Sequence, residues 1–176
     1  MIIAFDMDGV LRNLDLAFIK VMEGLKCREG NDALKLHIDS HTAPNFNPGM
    51  FALQDDDIYC VTNCSSKNSA AKKERWLKHF YGDRVKLAPT FAGIGSWGKD
   101  YVDPVARAKL DVLYQIEAEV YFDDDPAIIR VMRELHQQDL KEFEKTDDVW
   151  LMPYIKFMKY GSWIEEWYDL GEEVSW

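Results

Sequence analysis

Long apolar runs are missing from this chain of 176 residues. Nothing in it approaches the ~18 consecutive uncharged apolar residues that a membrane-spanning helix needs, so no span is expected. Cysteine is scarce: Cys27, Cys60 and Cys64 are odd in number and fit reduced thiols in a cytosol better than a disulfide framework. Positive charge is in deficit. With 21 Lys+Arg against 31 Asp+Glu the formal net charge is 21 − 31 = −10, which argues against broad binding to nucleic acid or to an anionic membrane surface. The opening MIIAFDMDGV has no basic leader and meets an acid at Asp6, so a signal peptide is not expected. Polar low-complexity tracts and internal repeats are also absent. With 47% apolar residues, the chain is expected to fold as one domain over residues 1–176.

What is present is an alternation of two patterns. Short apolar runs without a period of two occur at Met1–Phe5, Ile58–Thr62, Arg84–Ala88, Glu119–Phe122 and Asp148–Met152, as expected of strands buried on both faces of a parallel sheet. Helical spacing fills the intervals at Leu14–Leu25, Ser69–Tyr81, Asp103–Ile116 and Ala127–His136. The third of these opens on Asp103-Pro104, an N-cap followed by proline at the first helical position. Strands alternating with helices predict a Rossmann-like α/β fold, a five-stranded parallel sheet flanked by helices. Two segments stand outside the alternation. Residues 26–57 read as a small insert after the first strand. Residues 154–176 read as an aromatic-rich tail with Trp163, Trp167 and Trp176, where Ser162-Trp-Ile-Glu165 has the pattern of a helix start.

Polar residues gather at the predicted strand ends, where open α/β sheets bind ligands. The first strand ends in Asp6-Met7-Asp8-Gly9, the second in Thr62-Asn63 and the fourth in Asp123-Asp124-Asp125-Pro126. Carboxylates crowded on one dry edge raise each other's pKa unless a cation neutralises them. A hard divalent ion with oxygen ligands, most simply Mg²⁺, answers that need and calls in turn for an anionic substrate such as phosphate. Asp6 and Asp8 sit two residues apart and can face the same crevice, one as nucleophile and one as proton carrier. Gly9 permits the tight turn after them. Taken singly, D-x-D-G is a common turn pattern, Thr62-Asn63 a strand terminus and Asp123–Asp125 a helix cap. Together, at the ends of strands of one sheet, they are far more specific.

These residues resemble the haloacid dehalogenase superfamily of phosphohydrolases. The family's first motif, D-x-D-G-[TV]-L, is matched by Asp6-Met7-Asp8-Gly9-Val10-Leu11, its second by Thr62 and its fourth by the pair Asp123-Asp124. The resemblance covers about residues 1–13 and 56–136. It implies that Asp6 is the nucleophile forming an aspartyl-phosphate and that Asp8 is the general acid and base. Thr62 and the Asn63 backbone would hold a phosphoryl oxygen. The Asp6 side chain, the Asp8 carbonyl and Asp124 would bind Mg²⁺, with Asp123 supporting them. For the lysine motif, Lys99 in Gly98-Lys99-Asp-Tyr-Val-Asp103-Pro104 resembles the family's G-K-P-x-P-D-P without the proline after the lysine. Lys109, placed in the second turn of the predicted helix and facing away, is the rival.

The stretch Lys73-Glu-Arg-Trp76-Leu-Lys-His-Phe80-Tyr-Gly82 and the Asp-Asp-x-Pro ending at Asp123 are similar to nucleotidases of the 5′(3′)-deoxyribonucleotidase type, and the acidic pair also resembles that of polynucleotide 3′-phosphatases. A small phosphorylated substrate, nucleotide-like, is therefore expected. Extended nucleic acid is not, although a polynucleotide end stays open, and no membrane partner is expected. A receiver-like signalling domain is the reading from another class, but its acids and its threonine come in a different order. Among the remaining residues, Cys64 reads as a bystander thiol, and His37 with His41 as a surface turn. The helix carrying Lys67, Lys72, Lys73, Arg75 and Lys78 against Glu74 reads as a solvated basic face, or as a positive wall beside the site. Arg12 and Asn13 could touch substrate for the same reason.

Overall fold

The computed structural model describes residues 1–12, 44–92, 99–143 and 154–159, with the side chains of residues 99 and 100 excepted. Strands β1 (Ile2–Phe5), β2 (Asp57–Asn63), β3 (Val85–Thr90), β4 (Val120–Asp123) and β5 (Lys156–Lys159) form one parallel sheet in the order β3-β2-β1-β4-β5. Helices α1 (Lys67–Tyr81), α2 (Lys99–Gln115) and α3 (Pro126–Phe143) flank it. This is the Rossmann-like α/β class expected. β1 lies centrally and pairs with β2 on one side and β4 on the other, so the strand order reverses there. A receiver of the doubly wound 2-1-3-4-5 type would pair β1 with β3 instead, and this order excludes it.

The pleat divides the core into two layers. Ala4, Val61 and Tyr121 point to one face and pack with Val105, Ala106, Leu110 and Leu113 of α2 and Ile128, Ile129 and Met132 of α3. Ile3, Phe5, Ile58 and Cys60 point to the other and pack with Trp76 and Leu77 of α1. Period-two side-chain direction in the strands and 3.6-residue stripes in the helices generate both layers. Pro89 cannot donate a ladder hydrogen bond, and it is accommodated because β3 is an edge strand.

The second layer is completed by the end of the predicted insert. Phe46 and Phe51 close on Phe5 with ring centroids 5.7 and 6.2 Å away, and Phe5 stacks on Phe122 at 4.9 Å. The Asn45 amide N–H donates to the Leu11 carbonyl at 2.9 Å, which joins this segment to the turn after β1. The rest of the insert, with the helix expected over Leu14–Leu25, lies outside the described residues.

Three expectations shift. The fifth strand expected over Asp148–Met152 lies outside the described residues, and the strand that pairs with β4 is Lys156–Lys159, taken from the predicted tail. Four residues of mixed character, KFMK, carry too little pattern to be read as a strand. α2 starts at Lys99, one turn before Asp103-Pro104, so Pro104 lies inside the helix. α3 continues seven residues beyond His136, to Phe143. Among the described residues, no helix is long and apolar enough to cross a membrane.

Candidate functional site at the carboxyl edge of the sheet

Strand pleating sorts the polar residues that follow the core. Asp6 comes two residues after Ala4, and Asp123 two after Tyr121, so both lean to the α2 side. Thr62 comes two after Cys60 and leans to the α1 side. Each helix answers with one lysine.

On the α2 side, the Lys109 ammonium donates to Asp6 Oδ1 at 2.9 Å and to Asp123 Oδ2 at 2.7 Å. It is 4% exposed and Asp123 1%. The Tyr121 hydroxyl also donates to Asp123 Oδ2, at 2.6 Å, and the Asp125 amide donates to Asp123 Oδ1 at 3.0 Å. Both oxygens of Asp123 are therefore engaged, in an orienting role. Asp125 caps α3, its Oδ1 accepting from the Ala127 amide at 2.8 Å. Among the described side chains the lysine that meets Asp123 is Lys109, the rival; the side chain of Lys99, the expected lysine, lies outside those described. Lys109 faces inward because it shares a stripe with Val105, Ala106, Leu110 and Leu113, all buried.

On the α1 side, the Lys73 ammonium donates to Thr62 Oγ1 at 2.8 Å and to the Asn63 carbonyl at 3.1 Å, and pairs with Asp8 Oδ2 at 2.9 Å. Arg12 grips the other oxygen of Asp8, its Nε at 2.7 Å from Oδ1 and its Nη2 also donating there. Lys73 belongs to the helix read from sequence as a basic face. Its own position, on the stripe with Ala70, Trp76 and Leu77, is the signal that separates it from exposed Lys67, Arg75 and Lys78. Asn63 uses its side chain structurally. Its Oδ1 accepts from Thr90 Oγ1 and the Ala92 amide, both at 3.0 Å, and its Nδ2 donates to the Ala92 carbonyl at 2.7 Å.

Gly9 has φ +87°, a conformation that side chains rarely adopt, and a Cβ there would lie 2.0 Å from Asp124 Oδ2. The turn after β1 is thus built to let the Asp124 carboxylate approach. Asp6, Asp123 and Asp124 each bring a carboxylate oxygen within 4.8 Å of the others. Burial and the neighbouring Asp123 charge, opposed by Lys109, push the Asp6 carboxyl up to about 6. Burial, then Asp6 and Asp123, push Asp124 up to about 7. Burial would raise Asp8 too, but Lys73 and Arg12 outweigh it and hold Asp8 at about 2. Burial works against the charge of Lys109, yet Asp123 and Asp6 raise its pKa well above the ordinary lysine value.

An all-oxygen donor set with excess negative charge fits a hard divalent cation of the Mg²⁺ kind. Asp6 and Asp124 are the side chains with oxygens to offer, since those of Asp123 are engaged. Cys60 and Cys64 are free and buried, and burial raises both thiols, so neither is set up as a nucleophile. Asn13, His37, His41 and the tail tryptophans lie outside the described residues.

Neither a protein-family model nor a curated protein matches the chain. Two solved structures are similar. One is the HAD domain of the effector protein Lem4 from Legionella pneumophila, at 14% identity and a TM-score of 0.45 over 98% of this chain and 92% of that one. The other is an inactive mutant of the same domain, at 12% identity and 0.45 over 98% and 91%. A likeness of this size assigns neither a family nor an activity.

Proposed function

We propose that the chain is a phosphomonoester hydrolase of the haloacid dehalogenase type that works through an aspartyl-phosphate on Asp6 and depends on Mg²⁺. The observation that carries this reading is the convergence, at the switch point of the sheet, of two carboxylates two residues apart, a hydroxyl and two buried lysines. Asp6 Oδ attacks phosphorus and the bond to the ester oxygen breaks. Asp8 gives that oxygen its proton, then takes one from the water that attacks the aspartyl-phosphate, and inorganic phosphate leaves. With Lys73 and Arg12 beside it Asp8 is ionised, as the second step needs. A phosphate dianion arriving nearby competes for those cations and raises the Asp8 pKa, as the first step needs. Thr62 and Lys109 would neutralise and orient the phosphoryl oxygens. Asp6 and Asp124 would hold Mg²⁺, which would neutralise the carboxylate cluster and the phosphate charge.

The substrate class is a small phosphorylated metabolite, nucleotide-like in the first instance. The exposed Lys67, at the end of α1 that follows the carboxyl edge of β2, supports an anionic ligand on that side. The test is release of p-nitrophenol from p-nitrophenyl phosphate with Mg²⁺ and with EDTA. Release that needs Mg²⁺ and disappears in Asp6→Asn is the expected result. Release indifferent to EDTA or to that substitution would refute the mechanism. A phosphate-release screen over nucleotides, sugar phosphates and 3′-phosphorylated oligonucleotides then fixes the substrate.

A further inference from the structure

Resting on the hydrolase reading, we infer that Lys73 is a positioning residue that aims the Thr62 hydroxyl at a phosphoryl oxygen while holding Asp8 beside it. A lysine ammonium has three N–H bonds and accepts nothing. All three are accounted for, by Thr62 Oγ1, Asp8 Oδ2 and the Asn63 carbonyl. Because Lys73 can only donate, Thr62 Oγ1 must accept, and its single O–H is left to donate. Among the described residues no acceptor takes that proton. A hydroxyl whose lone pair is fixed and whose proton is free is a donor oriented before its ligand arrives, which is what transition-state stabilisation requires.

Neutralising Asp8 does not by itself explain this lysine. Arg12, 4% exposed, already supplies a guanidinium to the same carboxylate. Lys73 comes from the apolar stripe of α1, among Ala70, Trp76 and Leu77, where an apolar side chain would pack without the cost of desolvating a charge. Its contacts with Thr62 and with Asp8 also place it between two strand-end groups that the reaction uses together. The result is a pair of helical lysines, Lys109 for the nucleophile and Lys73 for the hydroxyl and the proton carrier.

The test is a double-mutant cycle on kcat/KM for p-nitrophenyl phosphate in Mg²⁺, with Lys73→Met made alone and in the Thr62→Val background. Alone, Lys73→Met should lower kcat/KM by about 100-fold, the scale of a misoriented group. In the Thr62→Val background it should add only about twofold, because the group it aims is gone and Arg12 still holds Asp8. Lys73→Arg should recover part of the loss. A loss of the same factor in both backgrounds, or wild-type activity in Lys73→Met, overturns the proposal. If Lys73→Met fails to fold by circular dichroism, Lys73→Gln replaces it in the same cycle, with the same two outcomes.

Calorimetric binding of orthovanadate in Mg²⁺ separates this proposal from the reading it rests on. A chain that binds vanadate without turnover overturns the hydrolase reading alone. Lys73→Met must then weaken vanadate when Thr62 is present and not in the Thr62→Val background, and any other pattern overturns the role of Lys73. A chain that binds no vanadate overturns both.

Discussion

The two faces of the sheet send one lysine each to the same edge, and the electrostatics they meet there are opposite. Among the described residues, a single ammonium on the α2 side, Lys109, faces three carboxylates, Asp6, Asp123 and Asp124. On the α1 side a single carboxylate, Asp8, faces two cations, Lys73 and Arg12. Asp6 and Asp124 are accordingly pushed up to about 6 and about 7, while Asp8 is held at about 2. One half of the site needs a cation to be stable in its charged form, and the other is stable without one. Side chains of the same type, a few ångströms apart, thus acquire different chemistry from the helix that covers them.

The largest expected effect bears on the acid-rich half. Asp6→Asn removes the nucleophile and should lower kcat by about 10⁴-fold or more, checked by steady-state hydrolysis of p-nitrophenyl phosphate. Next comes a direct contrast of the lysines in the metal-free chain. Lys109→Met strands Asp6 and Asp123 without a counter-charge and should destabilise the fold by about 3–5 kcal/mol in urea titration. Lys73→Met should destabilise it by about 1 kcal/mol, because Arg12 still grips Asp8 and the Asp8 side chain is 29% exposed. Equal losses would break the comparison.

The pH dependence sharpens it. Asp6 and Asp124 have folded-state pKa values above the ordinary carboxylate value, so between about pH 4 and 7 these two groups bind more protons in the folded chain than in the unfolded one. Metal-free stability from these groups is full below pH 4 and falls as pH rises through 6 and 7. Mg²⁺ should suppress that fall, as followed by thermal melts across pH with and without the ion. A metal-free chain whose stability rises through this window would contradict the assignment.

A smaller effect is expected at Gly9. Gly9→Ala brings a methyl group into the place of the Asp124 carboxylate and should weaken Mg²⁺ binding about tenfold by calorimetry. The smallest belongs to the outer face of α1. Lys78→Gln removes an exposed side chain that lies 3.9 Å from Glu74 and should change stability by less than about 0.5 kcal/mol in urea titration.

The carboxylates were readable because strand ends are marked twice in the sequence, by an apolar run that stops and by acids that follow it. Asp6, Asp8, Thr62, Asp123 and Asp124 all emerge at one edge on that logic. The lysines were harder. The motif around Lys99 marks a helix start, whereas the informative feature is a lysine placed at helical spacing among residues that must be buried. Lys109 in the stripe of Val105, Ala106, Leu110 and Leu113 shows it, and so does Lys73 in the stripe of Ala70, Trp76 and Leu77. A charge on an apolar stripe has to find partners, and the residue class alone does not announce this. The fifth strand, Lys156–Lys159, was illegible for a different reason. A short edge strand with lysines at both ends carries no apolar run, and it is held by its pairing with β4.

The central step of the proposed reaction is a covalent bond from Asp6 to phosphorus. The chain can be mixed with p-nitrophenyl phosphate and Mg²⁺, quenched in acid within the first turnovers, digested and analysed by mass spectrometry. A phosphoryl adduct on the peptide bearing Asp6, lost on hydroxylamine treatment and absent from Asp6→Asn, is the expected result. Turnover of the ester with no adduct on that peptide, or an adduct that survives in Asp6→Asn, would contradict it.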